Sequence, residues 1–278
     1  MLACIVAAVG LSCVAGDAEG QVLAAAGSAG ASADSGSSDP RPLAAVLRVV
    51  EESQRRLEKD VQDYTCRIVR RERLGGKLGP YDFIDAKIRR PNPAAGTPFS
   101  VYLRFTTRPS LAGREVLFLE GRNSGKVLVR RGGQRLAYLT TYVDPMSPLA
   151  MQGNRHPVTE VGFDRLLGKI AKGLVEDMTR DEVEVRFFDN AKIDGRPCTR
   201  IAIIHPEPRP YFTYHRTELY FDAEHKLPAA FATYQWPEEP GGAPILVEQY
   251  VYDRLELNVG LTDADFDRGN PDYRFLKR

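Results

Sequence analysis

The chain has 278 residues, 43% hydrophobic and 27% charged, with a formal net charge of +1. This ordinary globular balance suits one large domain or two small ones and excludes a wholly disordered polar chain. Residues 1–42 hold one basic and four acidic side chains, leaving 37 basic against 33 acidic in the remainder; that surplus is too weak for a nucleic-acid partner.

Leu2 to Ala15 is almost wholly apolar, and Asp17 is the first charge. A bilayer span needs about 20 residues, so the run reads as the apolar region of an export signal, although no Lys or Arg precedes it. Cleavage is expected near Ala15–Gly16 or in Ala24–Ala26, giving a signal over 1–16. Cys13 raises lipidation, but Gly10–Leu11–Ser12 puts leucine in the wrong slot for that motif. Residues 17–42, rich in Ala, Gly and Ser, read as a flexible tether, and 43–278 as a single domain.

An amphipathic helix opens that domain. Asp39 is its candidate cap, Pro40 or Pro42 suits the first turn, and Leu43, Val46, Leu47, Val50 and Leu57 form its apolar stripe. Period-two segments follow near 64–74, 80–90, 99–106, 114–120, 126–131 and 134–142, with turns at Leu74–Gly79 and Arg122–Gly125. Phe99, Val101, Leu103 and Phe105 share one face of their strand, and Ser100, Tyr102, Arg104 and Thr106 the other, so one side is dry and one wetter. The proline-rich loop Asp144–Pro157 carries Leu149 and Met151, apolar residues that must cover something and serve as lid candidates. Phe163, Leu166, Leu167, Ile170, Ala171 and Leu174 define a second helix. Further strands are expected near 182–189, 198–205, 213–222, 228–236 and 244–256, with a turn over Asp189–Gly195 and a hairpin connection over Asp222–Pro228. The tail Leu261–Arg278 is polar with embedded Phe266, Tyr273 and Phe275, and Thr262 and Asp265 have capping-box spacing.

The order of elements predicts a mainly β (α+β) fold: a strongly curved antiparallel sheet or incomplete β-barrel capped by two helices. Such a sheet makes an apolar cavity natural. Phe99, Phe105, Phe118, Tyr138, Phe187, Phe221, Phe231 and Tyr250 recur at strand positions, where they line a cavity or fill a packed core. The candidate ligand residues are Phe99, Val101, Leu103, Phe105, Phe118 and Phe231, with Leu149 and Met151 in the lid.

The sequence carries no nucleophile elbow, phosphate loop, dinucleotide fingerprint or zinc-protease motif, and no catalytic residue or cofactor is assigned. His205 and His215 with Glu207 or Glu218 have no metal-site signature, and the same histidines with Glu218 are the cluster that a hydrolase reading needs. Ser100 lies mid-strand and reads as structural, and Glu238–Glu239 as a solvated loop. Arg67, Arg70, Arg71, Arg73, Lys77, Lys87, Arg89 and Arg90 either meet anionic lipid headgroups in peripheral membrane contact or pair with Glu72, Asp82 and Asp85. In an oxidising compartment Cys66 and Cys198 either form a disulfide or remain buried thiols.

Asp63–Tyr64–Thr65–Cys66, Arg70–Arg71–Glu72, Pro98–Phe99–Ser100–Val101–Tyr102, Leu149–Ala150–Met151, Gly153–Asn154–Arg155 and Val161–Gly162–Phe163 form a set. It continues with Gly195–Arg196–Pro197–Cys198, Leu227–Pro228, Glu248–Gln249–Tyr250, Leu257–Asn258–Val259–Gly260–Leu261, Asp265–Phe266–Asp267 and Asn270–Pro271. Together these pieces resemble the bacterial exported family known as the domain of unknown function numbered 1571, over about 43 to 278. That family is similar in architecture to periplasmic lipoprotein carriers of the LolA and LolB kind. The resemblance implies a periplasmic or envelope protein that binds a lipid or lipidated partner, and it supplies no activity. The alternatives are an envelope interaction or scaffold module with a packed core, and a hydrolase with an unrecognised site.

Overall fold

The computed structural model describes residues 42–277 apart from 108 and 136. The expected signal over 1–16, nearly all of the tether, Cys13 and the Asp39 cap lie outside the described residues. Helix α1 is Pro42–Asp60, with Val46, Val50, Ser53 and Leu57 buried. Strands β1 (Asp63–Leu74), β2 (Lys77–Leu78), β3 (Asp82–Arg89), β4 (Ser100–Phe105), β5 (Glu115–Leu119), β6 (Val127–Arg130) and β7 (Thr140–Val143) follow. After the one-turn helix α2 (Pro148–Met151) and helix α3 (Phe163–Asp177) come β8 (Glu184–Ile193), β9 (Arg196–Ile204), β10 (Arg216–Asp222), β11 (Pro228–Gln235) and β12 (Ile245–Leu257).

All pairings are antiparallel, in the order β7-β6-β5-β4-β3-β1-β12-β11-β10-β9-β8, with β2 attached to β1. The sheet is unclosed. Two meanders form wings that meet where β1 pairs β12. The alternation read from the sequence sets the faces: Tyr64, Ile68, Ile84, Ile88, Val101, Leu103, Phe105, Val116 and Phe118 share one core with Leu219, Tyr252 and the buried stripes of α1 and α3. Both helices therefore lie on the concave face. Arg90 ties them together, donating to the Leu57 and Val61 carbonyls at the end of α1 and forking onto Asp164 in the first turn of α3. That carboxylate sits where the helix dipole favours negative charge.

The outer face is not uniformly wet. Phe266, Tyr273 and Phe275 of the tail cover Tyr102, Leu117 and Leu128, with Tyr102 and Tyr273 stacked at 3.8 Å. The turn bearing Phe266 starts at the Thr262–Asp265 capping box.

Two expected elements change. The strand over 134–142 shrinks to β7, because at Gly132 the backbone docks against residues 111–114 so closely that a Cβ would lie 2.2 Å from the Leu111 carbonyl. The turn over Asp189–Gly195 shortens to Asp194–Gly195: β8 runs through Asp189 and Asn190, which are absorbed where the register with β9 shifts between Phe188 and Ala191. Turn-forming residues in a bulge look, in sequence, like a turn.

Cys66 and Cys198 are free and buried. They belong to separate clusters on opposite faces, and β12, β11 and β10 lie between their strands. Strands are spaced about 4.8 Å apart and a disulfide needs Cα atoms within about 7 Å, so the disulfide option is corrected to two buried thiols. Burial pushes Cys66 up to about 12 and Cys198 up to about 11, which keeps both protonated.

Candidate ligand cavity

The concave face divides along its length. Beneath α1 and the start of α3 it is filled: Tyr64 stacks on Phe163 at 4.7 Å, Phe163 meets Tyr252 edge-on at 4.9 Å, and Phe99 packs edge-on to Phe118. Gly162 makes this approach feasible. It has φ +107°, a Cβ there would lie 3.1 Å from the Tyr64 hydroxyl, and that hydroxyl accepts from the Phe163 N–H at 2.9 Å.

Farther along, the side chains stop filling the space. A cavity of about 430 Å³ lies between the sheet, α3, the loop from Asp144 to Gly162 and the β9–β10 connection. This is within the usual range for small-molecule sites, about 300–1,000 Å³. Ile68, Ile84, Leu103, Phe105, Val116, Leu219 and Phe231 form much of its sheet wall, and Leu166, Ile170 and Gly173 its helix wall. The cover is small-featured, with Ala150, Val158, Val161 and Gly162.

Of the residues expected at a ligand site, Leu103, Phe105 and Phe231 line the cavity. Phe99, Val101 and Phe118 do not; they share the alternation but lie beneath α3 in the packed region, where Arg165 covers Phe99. Of the lid candidates, Leu149 is 61% exposed and Met151 is not among the cavity-lining residues; the loop faces the cavity through Pro145, Ala150, Asn154 and His156.

A polar network closes one side. Glu72 on β1 and Glu248 on β12 are buried and directly opposite in register, a like-charge pair that needs compensation. The loop supplies it. His156 Nε2 lies 2.6 Å from Glu248 Oε2, with Thr233 and Tyr214 on the other oxygen. The Arg155 N–H donates to Glu72 at 3.3 Å and its guanidinium lies 3.5 Å from Glu248. Arg70 donates to Asn154 Oδ1 at 2.7 Å, and the Tyr250 hydroxyl donates to Glu72. The Glu248 hydrogen bond raises His156 above its ordinary value despite burial. Burial pushes Glu248 up, but His156 and Arg155 outweigh it and hold the carboxylate below its ordinary value. Nothing local in the sequence marks His156 as part of this network, because its partner Glu248 lies 92 positions away.

The remaining candidates are placed elsewhere or paired. His205 bonds to the Tyr214 carbonyl and Asp177, and His215 to the His205 carbonyl. Glu218 belongs to the outer face with Arg200 and Tyr220, so the cluster required by the hydrolase reading does not converge. Among the described residues no group of three or more metal-type ligands forms. Ser100 bonds to the Pro98 carbonyl and Arg89. The basic cluster is split by strand alternation: Arg67 pairs with Asp85, Arg70 with Asp82, Lys87 with Asp265 and Arg89 with Asp263, while Arg71 and Arg73 donate to the Gly79 and Leu246 carbonyls.

Several solved structures align with most of this chain at low identity. A putative outer membrane lipoprotein-sorting protein domain from Vibrio parahaemolyticus is 10% identical with a TM-score of 0.39, over 80% of this chain and 96% of that one. A LolA superfamily protein from Nitrosomonas europaea is 10% identical with a TM-score of 0.31, over 80% and 97%. A chain of the Pseudomonas aeruginosa MucA/MucB complex is 18% identical with a TM-score of 0.37; the match takes in 79% of this chain and 61% of that one. Comparison with curated proteins finds no match. Residues 61–275 match the family described as protein of unknown function (DUF1571), which takes in the whole sheet and both walls of the cavity, and the chain belongs to that family.

Proposed function

We propose that this protein is an exported, non-enzymatic envelope protein that holds a lipid, or the acyl chain of a lipidated protein, in the cavity. One observation carries the reading: about 430 Å³ between sheet and α3 is left unfilled by side chains that are mostly apolar. Native interiors are close-packed, and a hollow of this size forfeits the contacts that would stabilise a solid core. The polar groups at its side are engaged with one another, Glu72 and Glu248 with Arg155, His156 and Tyr250, which favours binding over proton transfer. Met146 and Leu149, exposed beside the cavity-lining Pro145 and Ala150, give the mouth an apolar rim. Leu2–Ala15 supports export.

The test is mass spectrometry of the protein purified natively from envelopes, together with titration by a fluorescent acyl probe. Copurifying lipid and saturable enhancement are expected. Lipid-free protein that fails to bind the probe would overturn the reading.

A further inference from the structure

One cation on the cavity wall differs from its neighbours. Arg114, the residue before β5, lines the cavity, and its guanidinium makes no hydrogen bond or ion pair with any described residue. Its close contact is with Phe105, whose ring centroid is 5.5 Å away, and the same ring carries Arg70 at 5.6 Å. The Arg70 side chain is only 9% exposed, and its Nε is buried without a partner. Arg70 has Glu72 and Asp82 to offset its charge; Arg114 has Asp82 only at longer range. Burial and then the neighbouring Arg70 push Arg114 below its ordinary value. A second, partly buried guanidinium beside a first, and without its own acid among the described residues, is short of one negative charge. The acids α3 and its preceding loop bring to the cavity each have a basic partner: Asp177 with His205, Glu160 with Lys169 and Glu176 with Lys172 at 4.0 Å.

We propose that this end of the cavity binds the oxyanion head of a single-chain amphiphile, a carboxylate or a phosphate, between Arg114 and Arg70. The chain then runs over Leu103, Val116 and Phe231. The planar donor fork of arginine suits either head. This inference rests on the cavity reading above and names the ligand class for it.

Calorimetric titration of the full chain with dodecanoate, dodecyl phosphate and dodecanol, below their aggregation limits, separates the two claims. The wild type is expected to bind one or both anions about ten- to a hundredfold more tightly than the alcohol, the range for a charge-assisted hydrogen bond. The tighter anion identifies carboxylate or phosphate as the source. Arg114→Gln should narrow the gap between the anions and the alcohol about tenfold, with an unchanged circular dichroism spectrum and thermal midpoint reporting an intact fold, and Arg114→Lys should restore much of the preference. Equal binding of all three ligands, or an anion preference untouched by Arg114→Gln, overturns the anion site and leaves the cavity reading standing. Failure of all three ligands to bind overturns both.

Discussion

The two stretches of the concave face obey the same period-two rule and end differently. Under α1 and the start of α3, Tyr64, Phe99, Val101, Phe118 and Phe163 fill the space. Along the same strands, Leu103 and Phe105 face a hollow beside Phe231. The difference lies in what covers them. Phe163 and Leu167 reach down from the packed stretch of α3 and are fully buried, whereas over the hollow Leu166, Ile170 and Leu174 alternate with Gly173, and the loop adds only small apolar side chains, Pro145, Ala150, Val158 and Val161. Strand alternation decides which side chains face inward. The bulk on the opposing element decides whether they meet a solid or a void.

Truncation at the packed end should have the largest effect. Phe163→Ala is expected to destabilise the fold by about 3–5 kcal/mol, read from denaturant midpoints. Phe231→Ala should cost only about 1–2 kcal/mol, since one side of that ring already meets empty space and its packing partner is Tyr250, stacked at 4.7 Å. Equal losses at the two sites would erase the distinction between the ends.

Gly173→Leu sharpens it further. A Cβ at this helical position meets nothing within 4 Å, and replacing a helix-interior glycine gains up to about 1 kcal/mol. Stability should be held or slightly raised while acyl-probe binding is lost. A variant that still binds the probe at full affinity would place the ligand elsewhere.

The smallest effect concerns the loop over the hollow. His156 is raised above its ordinary 6.5, so its contribution is complete below 6.5 and is lost as pH rises through the raised value. Glu248 is lowered below its ordinary 4.5, so its contribution is complete above 4.5 and is lost as pH falls through the lowered value. The loop should therefore be held best between about pH 4.5 and 6.5 and open more readily at pH 8. Hydrogen exchange of residues 145–161 should be faster, after correction for intrinsic rates, at pH 8 than at pH 6. His156→Ala should flatten that difference, and a profile unchanged by the variant would remove His156 from the latch.

Much of this architecture is legible in the sequence, because alternation and helical stripes are local. Phe99 to Phe105 announce a shared face, and Thr262 with Asp265 announces a capped turn. The division of that face into solid and hollow is not legible, since Gly162 permits close packing at one end and Gly173 leaves open space at the other, and neither glycine by itself says which. The polar network is distributed too. Arg70–Arg71–Glu72, Gly153–Asn154–Arg155 and Glu248–Gln249–Tyr250 stand out as separate fragments, but the Tyr250–Glu72 contact joins positions 178 apart. Arg114 carries no sequence signal; its distinction is that its guanidinium has no hydrogen-bond or ion-pair partner among the described residues, which only three-dimensional placement reveals.

The pairing of β1 with β12 has a consequence for how the chain acquires its shape. The first strand of the domain is seated against the last, and Tyr64 is in register with Leu257. Each wing is a run of neighbouring hairpins that can assemble soon after synthesis, but the central seam must wait for the final segment. Contacts of such long sequence separation make for slow maturation. A product cut short before Ile245 would leave the β1 edge unsatisfied, a surface prone to aggregation and to capture by chaperones.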